Sequence, residues 1–294
     1  MEDLLGAISL QTLVNGLVTG SIYALIALGL TLIFGIMRVV NFAHGQMYML
    51  GAFAVYYLYA EAKFNYVLAL VLAIVLVGIV GYLFEVLLFR RVMRVATREE
   101  NTMLLAMGTA ILLENGALLA FGEKQRGVPP LIDGVLRIGD AYLPYSRLLV
   151  TVLALLLVAV LILFVRYTRT GRAMRALAQD REAACLQGVN VDRLSALGFA
   201  IGAALAGAAG GLLVTVFAIN SGAGTAVSVK AFTMIMLGGA GVIAGAILGG
   251  LTLGFAEAIG YEAFPGSITY LIIFIGLILF LIVRPQGILG KPER

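Results

Sequence analysis

The sequence predicts an all-α, polytopic integral membrane protein with roughly eight or nine transmembrane helices, some of them discontinuous. Of the 294 residues, 62% are hydrophobic and only 12% are charged, which is too little charge to cover the surface of a soluble domain. Several uncharged runs have about the 20 residues needed to cross a bilayer or more; they are 66–84, 148–165, 194–229 and 231–256. The runs are continuously apolar, whereas strands of a membrane barrel alternate apolar and polar residues.

The rest of the composition excludes several classes of function. The single cysteine, Cys185, excludes an internal disulfide and a cysteine metal site, and the single histidine, His44, excludes a histidine-rich one. No serine or cysteine has a recognisable triad partner, so we expect no catalytic residue, no metal and no cofactor. Nothing suggests a nucleic-acid partner. The acidic start, "MEDLL", differs from the basic start of a cleavable signal peptide.

The first five helices follow from apolar runs separated by polar loops. We predict them over residues 10–34, 41–60, 66–89, 102–121 and 148–165. The hydrophilic segment 90–101 is predicted to be a loop, and so is 122–147, whose three prolines interrupt regular structure. We expect a single transmembrane domain, 1–294, with no soluble domain.

The second half begins with a long polar connection, 166–193. Apolar blocks follow over 194–217, 231–258 and 268–283, and the segment 218–230 interrupts them. Connections rich in lysine and arginine stay in the cytoplasm, which places 166–193 there with two other segments. The basic residues of all three are Arg90, Arg91, Arg94 and Arg98; Arg166, Arg169, Arg172, Arg175, Arg181 and Arg193; and Arg284, Lys291 and Arg294. The loop 122–147 and the acidic N-terminus then lie outside.

This orientation requires an even number of crossings between Arg193 and Arg284. Three apolar blocks do not satisfy it, so we predict two shorter helices within 218–258, with a break in "GGAGVIAGAILGG". Broken helices survive at membrane depth only where they line a cavity or are buried in protein. Transporters place substrate paths at such breaks.

Glycine spacing near this break indicates close helix packing. Gly241, Gly245 and Gly249 form two successive GxxxG steps, and Gly250 and Gly254 form another. Glycine lets two helix backbones approach closely. We expect packing within the chain, with packing against a second subunit as the alternative.

The connection 166–193 contains "GRAMRALAQDREAACLQGVN", an alanine-rich segment without proline. Its propensity predicts a short surface helix ended by glycine. Small alanines can nest in a groove of another protein, and Glu182 can pair with an arginine there. The residue pattern alone is also compatible with a solvated loop, whose arginines would then reflect only the enrichment of positive charge in cytoplasmic loops.

Several segments of the chain resemble a known family. The "EAA…G" pattern in a cytoplasmic connection is similar to the coupling loop of ATP-binding cassette (ABC) importer permeases. The segment "NGLVTGSIYALIALGLTLIFGIMRVVNFAHGQMYMLGAF" is similar to the N-terminal third of branched-chain amino acid permeases of the LivH type. "RALAQDREAACLQGVNVDRLSALGFAIGAALAGAAGGLL", "KAFTMIMLGGAGVIAGAILGGLTLGFAEA" and "RPQGILGKPE" extend the resemblance over nearly the whole chain.

The resemblance implies the fold and role of an ABC importer permease. Such a subunit moves branched-chain or related hydrophobic amino acids across the bacterial inner membrane by alternating access. Its partners are a second related permease (a heterodimer or a homodimer), two cytoplasmic ATP-binding subunits and a periplasmic substrate-binding protein. The chain has no GxxxxGK[ST] motif, so partner subunits must supply ATP hydrolysis. The coupling residues it implies are Arg175, Asp180, Glu182, Ala183, Ala184 and Gly188.

Two other functions remain open at the level of sequence. These residues poorly distinguish an amino acid permease from a permease of the same class that carries urea or short amides. An ion-coupled secondary transporter is the alternative from another class, because Glu85, Glu114 and Glu257 lie within or near apolar segments. We expect structural pairing for Glu85 and Glu257. Since spacings of five or six fit an α-helix loosely, we expect the partner of Glu85 on another helix.

A polar cluster, "NFAHGQ", opens the second predicted helix. Asn41, His44 and Gln46 can satisfy one another across a helix break, and Gly45 lets the backbone turn. The family resemblance implies that this segment is a discontinuous element near the translocation path. These three residues are therefore candidate pathway residues. Whether His44 touches the substrate or only holds the break stays open.

Overall fold

The computed structural model describes residues 9–95 and 100–290, which form a bundle of helices with one two-stranded hairpin. The elements are α1 Leu10–Met37, α2 His44–Val55, π1 Tyr56–Glu61, α3 Tyr66–Phe84, π2 Glu85–Phe89, α4 Arg90–Val95, α5 Glu100–Phe121, β1 Val135–Ile138, β2 Ala141–Pro144, α6 Tyr145–Tyr167, α7 Arg169–Gln179, α8 Arg181–Leu186, α9 Val191–Leu213, α10 Ala223–Gly238, α11 Ile243–Ala263 and α12 Gly266–Val283. The acidic N-terminus, Arg98, Lys291 and Arg294 lie outside the described residues.

Seven helices of the described residues are long and apolar enough to cross a membrane. They are α1, the continuous helix through α3, π2 and α4, and α5, α6, α9, α11 and α12. Two shorter helices, α2 and α10, are the discontinuous elements that the sequence predicted. The fold is thus the predicted all-α polytopic arrangement, close to the predicted number of helices.

Two predicted boundaries are wrong, and charge explains the first. Residues 90–95, predicted as a loop, continue the third helix to Val95. Arginines are favourable at a helix C-terminus, where they face the negative end of the helix dipole, so polarity alone does not end a helix. The interruption predicted over 218–230 is shorter, because α10 already begins at Ala223.

The predicted loop 122–147 is not irregular throughout, because part of it forms a hairpin. Strands β1 and β2 pair antiparallel, with Ile138 opposite Ala141. Gly139 takes a φ of 59° in the connecting turn, a conformation that glycine adopts without strain. The side chain of Gln11 in α1 accepts a hydrogen bond from the Tyr142 N–H at 2.7 Å, which ties the hairpin to the start of the first helix.

The predicted break in "GGAGVIAGAILGG" is present, but it covers only Gly239 to Val242, between α10 and α11. Gly239 and Gly241 have φ values of 106° and 80°, so they form the turn. The helix-packing role predicted for Gly241 is therefore wrong, since it lies in neither helix. The break gives four helices between residues 193 and 284, which satisfies the even number of crossings.

The remaining glycines of α11 pack within this chain on two sides of the helix. A Cβ on Gly245 or Gly249 would collide with the backbone of α10, at Gly238 and Met234 respectively. A Cβ on Gly250 would collide with the backbone of Ala24 in α1. Helix α11 is thus held between α10 and α1, and the buried core runs along α1, α2, α9 and α11.

The C-terminal segment 284–290 lies on the same side of the bundle as this break. The N–H groups of Ile288 and Leu289 donate to the carbonyl oxygens of Leu237 and Gly238 at 2.8 and 3.0 Å. These bonds satisfy carbonyls that the end of α10 would otherwise leave without a partner. The tail therefore closes the end of the bundle that carries the basic connections.

Candidate functional site

The first turns of α2 and α10 meet inside the bundle. The backbone N–H of Gly45 donates to the Ser228 hydroxyl at 3.1 Å, and that hydroxyl donates to the Phe42 carbonyl at 2.8 Å. A Cβ on Gly45 would collide with the carbonyl of Gly224, so only glycine permits this approach. Two interrupted helices are thereby joined near their N-terminal ends, where unpaired backbone N–H groups concentrate.

Asn41 and His44 are completely buried and hold the segment before α2. The Asn41 side-chain oxygen accepts a hydrogen bond from the Ala43 N–H at 3.0 Å, which fixes a tight turn. His44 Nε2 lies 3.1 Å from the Ile26 carbonyl oxygen in α1. A carbonyl only accepts, so Nε2 carries the hydrogen. Both contacts position the break against the first helix.

Gln46 points to a different neighbour. Its amide donates to the Glu114 carboxylate in α5 and to the Thr225 hydroxyl in α10, both at 3.2 Å. Thr225 in turn donates to the same carboxylate oxygen at 2.5 Å. Glu114 is half-buried and Thr225 is exposed, so this cluster reaches the surface of the bundle. The three predicted pathway residues therefore divide: two anchor the break, and Gln46 joins a polar cluster.

The partner of Glu85 lies in its own helix, which corrects the prediction of a partner on another helix. Arg90 Nη2 lies 2.6 Å from the Glu85 carboxylate. Residues 85–89 form a π-helix, in which residue i bonds to residue i+5 instead of i+4. The wider turn brings the two side chains, five residues apart, onto one face. Arg90 also donates to the Asp192 carbonyl at 3.0 Å, and so joins α9 to this helix.

Glu257 forms the predicted structural pair, with Lys230 as its partner. Lys230 Nζ lies 2.8 Å from Glu257 Oε1, and Tyr23 donates to Glu257 Oε2 at 2.7 Å. Lys230 also donates to the Tyr23 hydroxyl at 2.6 Å. The three residues come from α10, α11 and α1. This charged cluster lies deep within three packed helices, where an unpaired charge would be costly.

The connection 166–193 contains two short helices rather than the one predicted. Helix α7 buries Gly171, Met174 and Leu177 along one face, and its arginines are exposed. The Arg175 guanidinium donates to the Val165 carbonyl at the end of α6. The amphipathic pattern therefore docks α7 against the bundle.

Helix α8 follows directly and carries the "EAA" residues. Asp180 caps it by accepting from the Ala183 N–H at 2.9 Å. Glu182 and Ala183 are exposed, whereas Ala184 is buried. Gly188, with a φ of 77°, ends the helical segment as predicted. The arrangement presents an acidic side chain and a small one beside the exposed arginines of α7.

A comparison with protein families shows the family to which this chain belongs. A family model described as "Branched-chain amino acid transport system / permease component" matches residues 12–283. The chain belongs to this family.

Similar proteins agree over almost the whole length of the permease. The high-affinity branched-chain amino acid transport system permease protein BraD of Pseudomonas aeruginosa is 40% identical, covering 97% of this chain and 96% of its own. The corresponding protein LivH of Escherichia coli K12 is 37% identical with the same coverage. A probable branched-chain amino acid transport permease of Methanocaldococcus jannaschii is 27% identical over 94% of this chain. The chain is thus a membrane transport subunit and not an enzyme.

Sequence reasoning missed several polar residues of the permease. Ser228 and Thr225 stand in a segment predicted only as an interruption, and their partners are more than 100 residues away along the chain. Tyr23 lies within an apolar run that shows no periodic signal. Lys230 was the strongest available signal, because it is a lone cation between two uncharged runs.

Proposed function

We propose that this permease is the membrane-spanning subunit of an ATP-driven importer that carries branched-chain amino acids across the bacterial inner membrane. The match of residues 12–283 to a family of that description carries the proposal. Relatives described as high-affinity branched-chain amino acid permeases, aligned from end to end, support the same substrate class.

The family implies partner subunits, and the bundle presents surfaces that could receive them. Helices α7 and α8 offer exposed arginines, Glu182 and Ala183 to two cytoplasmic ATP-binding subunits. Helices α5 and α12 expose most of their length, because only 17% and 6% of their most apolar 18-residue stretches are buried. A second, related permease covers part of that area, as a heterodimer or a homodimer. A periplasmic substrate-binding protein delivers the amino acid.

The mechanism is alternating access. ATP binding by the partners moves α7 and α8, and α6 transmits the movement because the Arg175 guanidinium and Gly171 contact its last turn. The junction of α2 and α10 is the element that changes between two states. Coupling requires an element with two states. ATP binding and substrate binding must both shift the equilibrium between those states. Asn41 and His44 keep the break in position, and Gln46 faces the adjoining polar cluster.

A transport assay of the assembled complex tests this function. The chain is co-expressed with its partner subunits, reconstituted into proteoliposomes and supplied with binding protein and ATP. We expect uptake of labelled leucine, isoleucine and valine that requires ATP, and no uptake of urea. Uptake of urea or acetamide alone would overturn the substrate, and uptake driven by an ion gradient without ATP would overturn the class of transporter.

A matched pair of charge reversals tests the coupling surface. Glu182→Arg on α8 should abolish ATP-dependent uptake while the subunit remains folded. Glu123→Arg, a reversal at another exposed position in the loop at the opposite end of the bundle, should leave uptake unchanged. Equal uptake by the two variants would contradict the assignment of α8 to ATPase coupling.

A further inference from the structure

A cavity of about 570 Å³ lies between α1, α10 and α11, beside the start of α12. Its volume falls within the range of about 300–1,000 Å³ that is usual for small-molecule sites. One end is bordered by Asn15 in the second turn of α1 and Arg147 in the first turn of α6, whose side chains lie 3.3 Å apart. The opposite end reaches Tyr23, halfway along α1. The cavity therefore extends from the outer end of the bundle to its middle.

The floor of this cavity carries one charge of each sign. Lys230 and Glu257 lie there with Tyr23 between them. The Lys230 ammonium has three hydrogens, and within residues 9–95 and 100–290 its acceptors are Tyr23 and Glu257, so donor capacity remains. Glu257 pairs with the ammonium nitrogen through Oε1 at 2.8 Å and accepts from Tyr23 through Oε2 at 2.7 Å, and a carboxylate has about four acceptor positions, so acceptor capacity remains as well. Both ions thus retain capacity for a further partner.

The walls of the cavity are mostly apolar. The side chains there are Val18, Leu213, Val216, Phe217, Ala226 and Val227. Aromatic rings border the charges: Lys230 Nζ lies 5.1 Å from the ring centres of both Tyr23 and Tyr270. A pocket of this kind offers dispersion contacts to an apolar group and a polar anchor at one end.

We infer that this cavity binds a zwitterionic α-amino acid with an apolar side chain during its passage through the permease. The substrate carboxylate pairs with Lys230, its ammonium group pairs with Glu257, and its side chain lies against the apolar wall. The inference rests on the proposed function, because it assigns a site to the substrate named there. Transporters commonly place such sites near the middle of the bilayer.

Charge balance gives the site its selectivity. The floor is neutral overall, so a zwitterion adds one favourable contact to each ion and leaves no charge unpaired. An amine without a carboxylate, or a carboxylate without an amine, brings one unpaired charge into a region of low dielectric. Urea has neither charge, and it is too small to contact the apolar wall.

Cysteine protection in the assembled transporter tests the site without relying on transport. In a Cys185→Ala background, Ala226→Cys places a thiol on the cavity wall, where Ala226 is exposed. Ala120→Cys provides a matched thiol at an exposed position of α5 outside the cavity. The complex, without binding protein, is labelled with a charged methanethiosulfonate from the outer side.

We expect millimolar leucine to slow labelling of Ala226→Cys several-fold and to leave Ala120→Cys unchanged. Isobutylamine and isovalerate, which each lack one of the two charged groups, should protect weakly. Adding Glu257→Gln or Lys230→Gln should remove the protection by leucine, whereas Glu85→Gln, at a buried ion pair elsewhere, should retain it. Size-exclusion profiles identify any variant that fails to fold. In that case the test rests on the comparison of leucine with isobutylamine and isovalerate.

The outcomes separate this site from the proposed function. If the parent complex imports leucine but leucine does not protect Ala226→Cys, the site is wrong and the function stands. Equal protection by leucine and by isobutylamine would overturn the role of Lys230. If the parent complex imports no branched-chain amino acid while a different zwitterion protects, the proposed substrate fails and the cavity remains a zwitterion site.

Discussion

Helices α1 and α12 are both apolar enough to cross a bilayer, yet they lie in opposite surroundings. In α1, 83% of the most apolar 18-residue stretch is buried inside the protein; in α12 the share is 6%. The exposed helix has the higher mean hydropathy, 2.7 against 2.2. Hydropathy therefore reports that a helix can cross the membrane and does not report what surrounds it there.

Small residues account for the difference. Gly16 and Gly20 in α1 face α11, whose Gly254 would collide with the α1 backbone if it carried a Cβ. In α12, Gly276 has no atom within 4 Å of a Cβ position, and large side chains such as Leu271 and Ile278 are exposed. Because lipid is as apolar as leucine, close packing and not hydropathy favours a protein neighbour over a lipid one for these apolar faces.

The largest effect is expected from filling a glycine contact. Gly250→Leu places a side chain into the backbone of Ala24, where no rotamer can relieve the overlap. We expect a loss of stability beyond the ~1–3 kcal/mol that overpacking usually costs, and no folded subunit. Gly276→Leu in α12 should elute as a folded subunit in detergent size-exclusion chromatography. Equal profiles for the two variants would break the comparison.

Ion pairs extend the comparison to charge. Arg90→Ala leaves Glu85, whose side chain is 2% exposed, without its partner, and should destabilise the protein by ~3–5 kcal/mol. Arg94→Ala removes an exposed pair with Asp192 and should cost less than ~1 kcal/mol. Thermal unfolding followed by fluorescence measures both. A larger shift for Arg94→Ala would contradict the importance of burial.

Truncated isoleucines compare the two helices directly. Ile22 in α1 is fully buried, whereas Ile278 in α12 is 59% exposed. Ile22→Ala should cost ~2–5 kcal/mol, because the neighbouring helices cannot close the cavity. Ile278→Ala should be close to neutral, since lipid chains fill the space. A strong effect of Ile278→Ala on the assembled complex alone would show that another subunit covers α12.

The smallest expected effect concerns His44, whose ring joins the start of α2 to α1. His44→Ala removes the bond to the Ile26 carbonyl and should lower transport or assembly moderately at every pH, because the bond positions the helix break. Asn115→Ala, which loses a bond only within α5, should change neither. Transport measured across a pH series checks this. A loss confined to pH above ~6.5, where free histidine is neutral, would indicate a protonation switch.

Part of the fold and of the site was predictable from the sequence. Apolar runs predicted the membrane helices, and arginine counts with the parity of crossings predicted the break between α10 and α11. The "EAA" segment was predicted as helical and ended by Gly188. These features depend on neighbouring residues, whose composition and spacing are local properties.

Other features required tertiary contacts. The direction of the Gln46 amide towards Glu114 and Thr225 follows from the meeting of α2, α5 and α10. The Glu85–Arg90 pair depends on a π-turn that no residue pattern announced. The partners of Gln46 lie far along the chain, whereas that of Glu85 lies only five residues away and meets it because of the local backbone geometry.

The sequence by itself indicated that the chain crosses the membrane many times and where its helices break, and it predicts the side that its basic connections occupy. Membrane insertion and orientation depend on summed transfer free energies and charge, which add along the chain. Only the tertiary structure decided which apolar helix is buried and which polar groups pair. Close packing and ion pairing depend on distances between residues brought together by the fold, as Tyr23, Lys230 and Glu257 are at the floor of the cavity.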